Sequence, residues 1–162
     1  GLHHRRPGVV GAVLNNENCS CEFIADGSHL DPQVIEFLVK TKRLEQLILV
    51  SDSLRAAGMA AGDYKLGGLE VSVSDDGRAT LADGTLAGST LQLKEAVSNV
   101  VEFTTLNFSQ ALQLATFNPA AKLGIEKKKG TLKPGTDADF VVVDDRLEVL
   151  ATYQLGELIY CN

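Results

Sequence analysis

Four consecutive apolar residues, Leu47-Ile48-Leu49-Val50, are framed by Gln46 and by Ser51-Asp52-Ser53, and few folds accommodate them. A short apolar run without alternation reads as a strand buried on both faces of a parallel sheet. Parallel strands need long crossovers, so the run points to an α/β fold. Its carboxyl end carries Asp52, and α/β folds gather their active sites at the carboxyl ends of parallel strands. Asp and Ser after a strand also cap helices and shape turns. On the residues alone, both readings of Asp52 stand.

The preceding segment supplies the partner. Cys21 to Ala25 is a second strand candidate and runs into Asp26-Gly27-Ser28-His29. Asp31 as N-cap and Pro32 at the first position then open a helix, with Val34, Ile35, Leu38 and Val39 as its apolar stripe. Strand, helix, strand predicts a parallel pair with a right-handed crossover. Asp26, His29 and Asp52 would then share one edge of the sheet. Further upstream, Val9 to Leu14 is a short apolar segment, read as the first of about three strands. Gly1 to Gly8 (GLHHRRPG) is a loop. Arg5 and Arg6 suit a phosphate or a plain surface loop, and His3-His4 suit solvent or a ligand anion.

Beyond Asp52 the texture changes. Tyr64 to Leu66 and Leu69 to Val73 alternate as half-buried strands do, with Gly67-Gly68 as a hairpin turn. Arg78 to Leu81 returns as a strand. Ala82 to Ser89 reads as a Gly-punctuated loop before a helix capped by Ser89 or Thr90, with Leu93, Ala96, Val97, Val100 and Val101 on its buried side. A second helix is expected from a Ser109 cap to about Asn118-Pro119, with a turn over Ala120 to Gly124. The tail then reads as three strands, Phe140 to Asp144, Val149 to Tyr153 and Glu157 to Tyr160.

Composition excludes several classes. Fifteen basic against twenty-one acidic residues, a net charge of −6, argues against a general nucleic-acid binder. No apolar run approaches the roughly eighteen residues of a membrane span, and the start has no signal-peptide layout. Cys19, Cys21 and Cys161 fit a reducing cytosol, and none has a Cys or His pair at zinc spacing. The start without Met, at charged residues and two histidines, predicts a chain that begins within something larger.

Five pieces occur in a telling order: Arg5-x-Pro-Gly, Ile24-Ala-Asp-Gly-x-His29, Leu49-Val-Ser-Asp52, Thr85-Leu-Ala-Gly-Ser89 and Lys133-Pro-Gly-x-Asp-Ala-Asp139. In this order they resemble the carboxyl-terminal portion of the N-acetylglucosamine-6-phosphate deacetylase family, within the amidohydrolase superfamily. The resemblance implies an α/β fold: part of a TIM (β/α)8 barrel over residues 1–124, with a hairpin insertion at about 63–82. Residues 125–162 would supply strands of a small β-sandwich. It implies hydrolysis of an acetamide, with Asp52 as the catalytic carboxylate that takes a proton from the attacking water and returns it to the leaving amine. Arg5 and His29 would contact the sugar phosphate, with Arg5 serving a neighbouring subunit's site; Asp26, Gly27 and Ser28, with Leu86, Ala87 and Gly88, would contact the substrate largely through backbone. The family's divalent metal (zinc or similar) would be held by ligands upstream of Gly1, so no metal is expected on this chain, which alone would be inactive. A cytoplasmic homodimeric parent acting on a phosphorylated amino sugar, with no nucleic-acid or membrane partner, completes the expectation. Two departures stand out, Arg6 where Glu is common and Ser51 where Thr is frequent. The rival readings are an amidohydrolase for another small amide, a non-catalytic phosphosugar-binding or assembly module, and a truncated product without independent function.

Overall fold

The structure, a computed structural model, describes all 162 residues, Gly1 to Asn162. Helix α1 (Gly8–Asn15) occupies the segment expected to be a strand. Short apolar runs carry no decisive period, and two features favour the helix. Pro7 already has helical dihedrals, and Lys42, 6% exposed, donates from Nζ to the carbonyls of Val13 (3.0 Å) and Asn16 (2.7 Å). That ammonium adds a second, charged donor to carbonyls at the helix end, which otherwise hold only long backbone bonds of 3.3 Å. Leu14 alone of the helix packs on the core, while Val9 is exposed.

Strand β1 (Cys21–Ile24), helix α2 (Pro32–Thr41) and strand β2 (Leu47–Val50) form the expected parallel unit, with Cys21 opposite Leu47 and Ile24 opposite Val50. Asp31 caps α2 by accepting the Gln33 N–H at 2.8 Å. Leu47, Ile48 and Leu49 are buried at successive positions, so both faces of β2 are covered, as an unalternating run requires. The parallel sheet has two strands, not three.

Antiparallel strands β3 (Gly62–Leu66), β4 (Leu69–Val73), β5 (Arg78–Thr80) and β6 (Leu86–Ser89) follow in that order within one sheet. Gly67 and Gly68 both have positive φ, the geometry a two-residue hairpin demands. Val71, Val73 and Ala79 form a small core with Ala56 beneath this sheet. Strand β6 corrects the expected loop. Its small residues show no alternation, and its extended form comes from pairing with β5 and bridging to the segment after β2.

Helices α3 (Leu93–Phe103) and α4 (Phe108–Ala115) pack Val97, Val100, Ala111 and Leu114 against Phe23, Leu47 and Leu49. Their caps differ from expectation. Gln92 with Glu95, and Asn107 with Gln110, form reciprocal capping boxes, in place of Ser89, Thr90 and Ser109. A short helix α5 (Phe117–Lys122) stands where a turn was expected, and Pro119 sits in its first turn, where no N–H is needed.

The tail forms an antiparallel sheet of β7 (Phe140–Val143), β8 (Val149–Gln154) and β9 (Glu157–Cys161). Lys94 of α3 reaches Glu148 at 2.9 Å, linking this sheet to the helical layer. No helix is long and apolar enough to cross a membrane.

Candidate active site

Because Ile24 lies opposite Val50, the residues that continue β1 and β2 emerge at the same sheet edge. Asp26 and Asp52 each follow two residues after that pair.

On the β1 side, the carbonyl of Ala25 accepts a hydrogen bond from Nδ2 of Asn99 on α3 at 2.7 Å, fixing where the strand ends. Gly27 then takes a positive φ of 72°, which turns the chain back on itself. Within that turn Oδ1 of Asp26 accepts the N–H groups of Ser28 and His29, both at 2.8 Å, and Oδ2 lies 2.7 Å from Nδ1 of His29. Facing an ionised carboxylate, Nδ1 is the protonated donor. Partial burial pushes the Asp26 carboxyl up, but hydrogen bonds from the His29 N–H, the His29 ring and the Ser28 N–H outweigh it, and the carboxyl is held below its ordinary value. A carboxyl lowered by folding stabilises the fold above its unfolded value and loses that contribution as pH falls through the folded one. The gap in thermal midpoint between the wild type and Asp26→Asn is therefore expected to shrink as pH drops below about 4. Melting curves across pH 2 to 7 check this, and a gap independent of pH would refute it.

On the β2 side, Asp52 holds a left-handed φ of 50°. Its carbonyl accepts the Ser89 N–H at 3.0 Å, and the Ser89 carbonyl accepts the Leu54 N–H at 2.8 Å. The hydroxyls of Ser89 and Ser53 donate to the carbonyls of Ser51 and Leu91. Strand β6 is thus stitched through Ser89 to the Asp52 loop, which brings Gly88 beside it. The Asp52 carboxylate itself is exposed and has no protein hydrogen-bond partner. Gly88 makes the approach possible. A Cβ there would stand 2.8 Å from Cδ2 of Leu54 and 3.2 Å from the Asp52 carbonyl oxygen, at a φ of 97°. Gly88→Ala is expected to cost about 1–3 kcal/mol and to displace the Asp52 loop. Denaturant unfolding checks it, and an unchanged midpoint would show that the loop yields freely.

An open cleft of about 300 Å³ runs from Asp26 and Ser28 past Asn99 and Glu95 to Asp76 and Arg78. The hairpin's contribution to this cleft was not anticipated, because Asp75-Asp76-Gly77 reads as an ordinary turn. Nor was Asn99, one polar residue among several on its helix. His29 and Asp52 do not line that cleft, and neither does Arg5. It lines an open surface hollow with Gly1, His3 and Arg6, and its N–H donates to Nδ1 of His3 at 3.2 Å. No three His, Cys, Asp or Glu side chains come together as a metal-binding group, so this chain's residues do not form a fit for a divalent ion.

A carboxylate at the end of a buried parallel strand, with a polar turn leaving the same sheet edge, stands where α/β folds gather reacting groups. The model of the amidohydrolase family matches residues 14–159, and the chain belongs to that family. Within it, the chain is similar to the N-acetylglucosamine-6-phosphate deacetylase of Bacillus subtilis (strain 168), at 40% identity over 162 residues, 99% of this chain and 40% of that protein. A putative N-acetylgalactosamine-6-phosphate deacetylase of Escherichia coli (strain K12) is 40% identical over 158 residues, 98% of this chain and 93% of that protein. The crystal structure of the N-acetylglucosamine-6-phosphate deacetylase of Thermotoga maritima superposes with a TM-score of 0.92 at 38% identity, over 99% of this chain and 44% of that one. The chain spans 40% of the Bacillus relative's length, and the resemblance read from its motifs holds along nearly all of its own.

Proposed function

We propose that this chain is the carboxyl-terminal part of an enzyme that hydrolyses N-acetylglucosamine 6-phosphate to glucosamine 6-phosphate and acetate. The observation that carries the reading is the strand register, which sends the exposed Asp52 carboxylate and the Asp26–His29 turn out of the same sheet edge. An amide nitrogen leaves poorly until it is protonated, so the reaction needs a group that accepts a proton from the attacking water and passes it on. Asp52 takes that role. His29 contacts the sugar phosphate through Nε2, and the backbone of Asp26 to Ser28 and of Leu86 to Gly88 lines the sugar. Arg5 completes a phosphate contact in a neighbouring subunit of a homodimer. On this reading β1, β2 and their helices belong to a closing (β/α)8 barrel over residues 1–124, interrupted by the hairpin sheet, and β7 to β9 belong to a β-sandwich. On the same reading a divalent metal, zinc or similar, would supply water activation in the whole, cytoplasmic enzyme and would be held by residues outside this chain.

A second reading, the galactosamine epimer as substrate, is favoured by the equal 40% identity to the Escherichia coli relative. Both are tested by one assay. Acetate release is followed with each sugar phosphate and with unphosphorylated N-acetylglucosamine, using this chain mixed with the segment of the Bacillus relative that it does not span. Acetate from a sugar phosphate only on mixing is expected. Equal turnover of the unphosphorylated sugar would favour an amidohydrolase for another small amide. No acetate from any of them, with phosphosugar binding retained, would leave a binding module.

A further inference from the structure

The Asp26 carboxylate is the most heavily engaged acid at the sheet edge, and nothing in the proposed chemistry requires it to be. Both its oxygens are committed inside one turn, Oδ1 to two backbone N–H groups and Oδ2 to the imidazole. The two side chains are 14% and 20% exposed, so the pair is largely withdrawn from solvent. Asp76, Arg78 and Glu95 line a cleft with Asp26, though not with His29, and make no hydrogen bond to either. With its oxygens fixed by the backbone, Asp26 has no free rotation, and the ring it holds has none either.

We propose that Asp26 acts on the substrate through His29 as a positioning residue, fixing the ring's direction and supplying the counter-charge that lets both ring nitrogens hold protons where Nε2 meets a phosphate monoester. The inference deepens the phosphosugar reading and rests on it. With Nδ1 bound to the carboxylate, Nε2 is the one ring nitrogen without a protein partner. In the neutral ring Nε2 carries a lone pair, which repels a phosphate oxygen. Binding the anion therefore requires a proton on Nε2 as well, and the resulting imidazolium needs a counter-charge. The carboxylate 2.7 Å from Nδ1 supplies it. A carboxylate that orients a histidine from behind is a recurring arrangement wherever the far nitrogen has work to do.

Asp26→Asn separates this role from plain turn formation. The amide oxygen still accepts the Ser28 and His29 N–H groups, so the turn is kept. The amide nitrogen now donates toward Nδ1, which moves the ring's single proton to Nε2, where it meets the phosphate as a neutral donor without the imidazolium's charge. Two readouts on the 162-residue chain test the proposal. Long-range 1H–15N spectra are expected to show a protonated Nδ1 in the wild type and an unprotonated Nδ1 in Asp26→Asn. Calorimetric affinity for N-acetylglucosamine 6-phosphate is expected to fall roughly tenfold in Asp26→Asn, with the affinity for N-acetylglucosamine unchanged. An unprotonated Nδ1 in the wild type overturns the proposal. So does an Asp26→Asn chain with full preference for the phosphorylated sugar when His29→Ala has lost it, a result that leaves the phosphosugar reading intact. A His29→Ala chain indistinguishable from the wild type toward both sugars overturns that reading, and this inference with it.

Discussion

Replacing Asp52 with Asn is expected to lower acetate release by roughly 10²- to 10⁴-fold, the usual contribution of a positioned proton-transfer group. The substitution is clean for a structural reason. Asp52 has a left-handed φ of 50°, a conformation that Asn tolerates better than most residues with a side chain. Its backbone also carries the bond from the Ser89 N–H, which Asn leaves unchanged. The carboxylate has no protein partner to lose, so the stability of the chain should hardly move. Rate and melting temperature then report separate things. The measurement is acetate release by the reconstituted mixture beside a melting curve of the chain. Full activity in Asp52→Asn would remove Asp52 from the chemistry and return it to the turn-forming role its sequence position also suits.

Asn118→Ala is expected to give the largest loss of stability from a single polar side chain. Asn118 is 2% exposed, and its Nδ2 donates to the carbonyls of Leu44 (2.6 Å) and Leu47 (2.7 Å) while its Oδ1 accepts from Gln113 at 3.0 Å. One amide therefore joins α5, α4 and the turn that launches β2. Truncation leaves a buried carbonyl short of a partner, strands the Gln113 amide and opens a void beside Leu47. Together these cost about 3 kcal/mol, a drop in midpoint of roughly 6–12 °C for a domain of this size. Calorimetric melting of the two chains measures it. A loss below about 0.5 kcal/mol, the level of an ordinary surface change, would mean that water or a neighbouring group replaces the amide.

How legible these features were in the sequence depended on how local their causes are. The β2 run, the Asp31-Pro32 helix start and the Gly67-Gly68 turn act within a few residues, and each stands where it was expected. Helix α1 did not, because one of its supports is Lys42, which meets Val13 from 29 residues away. Strand β6 was read as a loop because Leu86, Ala87 and Gly88 carry no pattern; its partner β5 and the Asp52 loop impose the extended form. The helix caps lie two or three residues from the expected positions, since Ser and Thr attract attention while Gln92 and Asn107 sit at the caps, their backbone N–H groups accepted by the Glu95 and Gln110 side chains. At the site, the strand order alone brought Asp26, His29 and Asp52 to one edge. The bond between Asp26 and His29 was not visible, because a spacing of three residues in a glycine turn leaves side-chain direction open.

The stitching of β6 to the segment after β2 limits how this protein can be recombined. Ser51, Asp52 and Leu54 are held by Ser89, and the chain between them builds the whole hairpin sheet. A chimaera that exchanges the Asp52 loop but keeps a foreign hairpin would break the bonds on both sides of the exchanged carboxylate. Residues 50 to 91 are therefore one transferable cassette, and crossover points in shuffled relatives belong outside it.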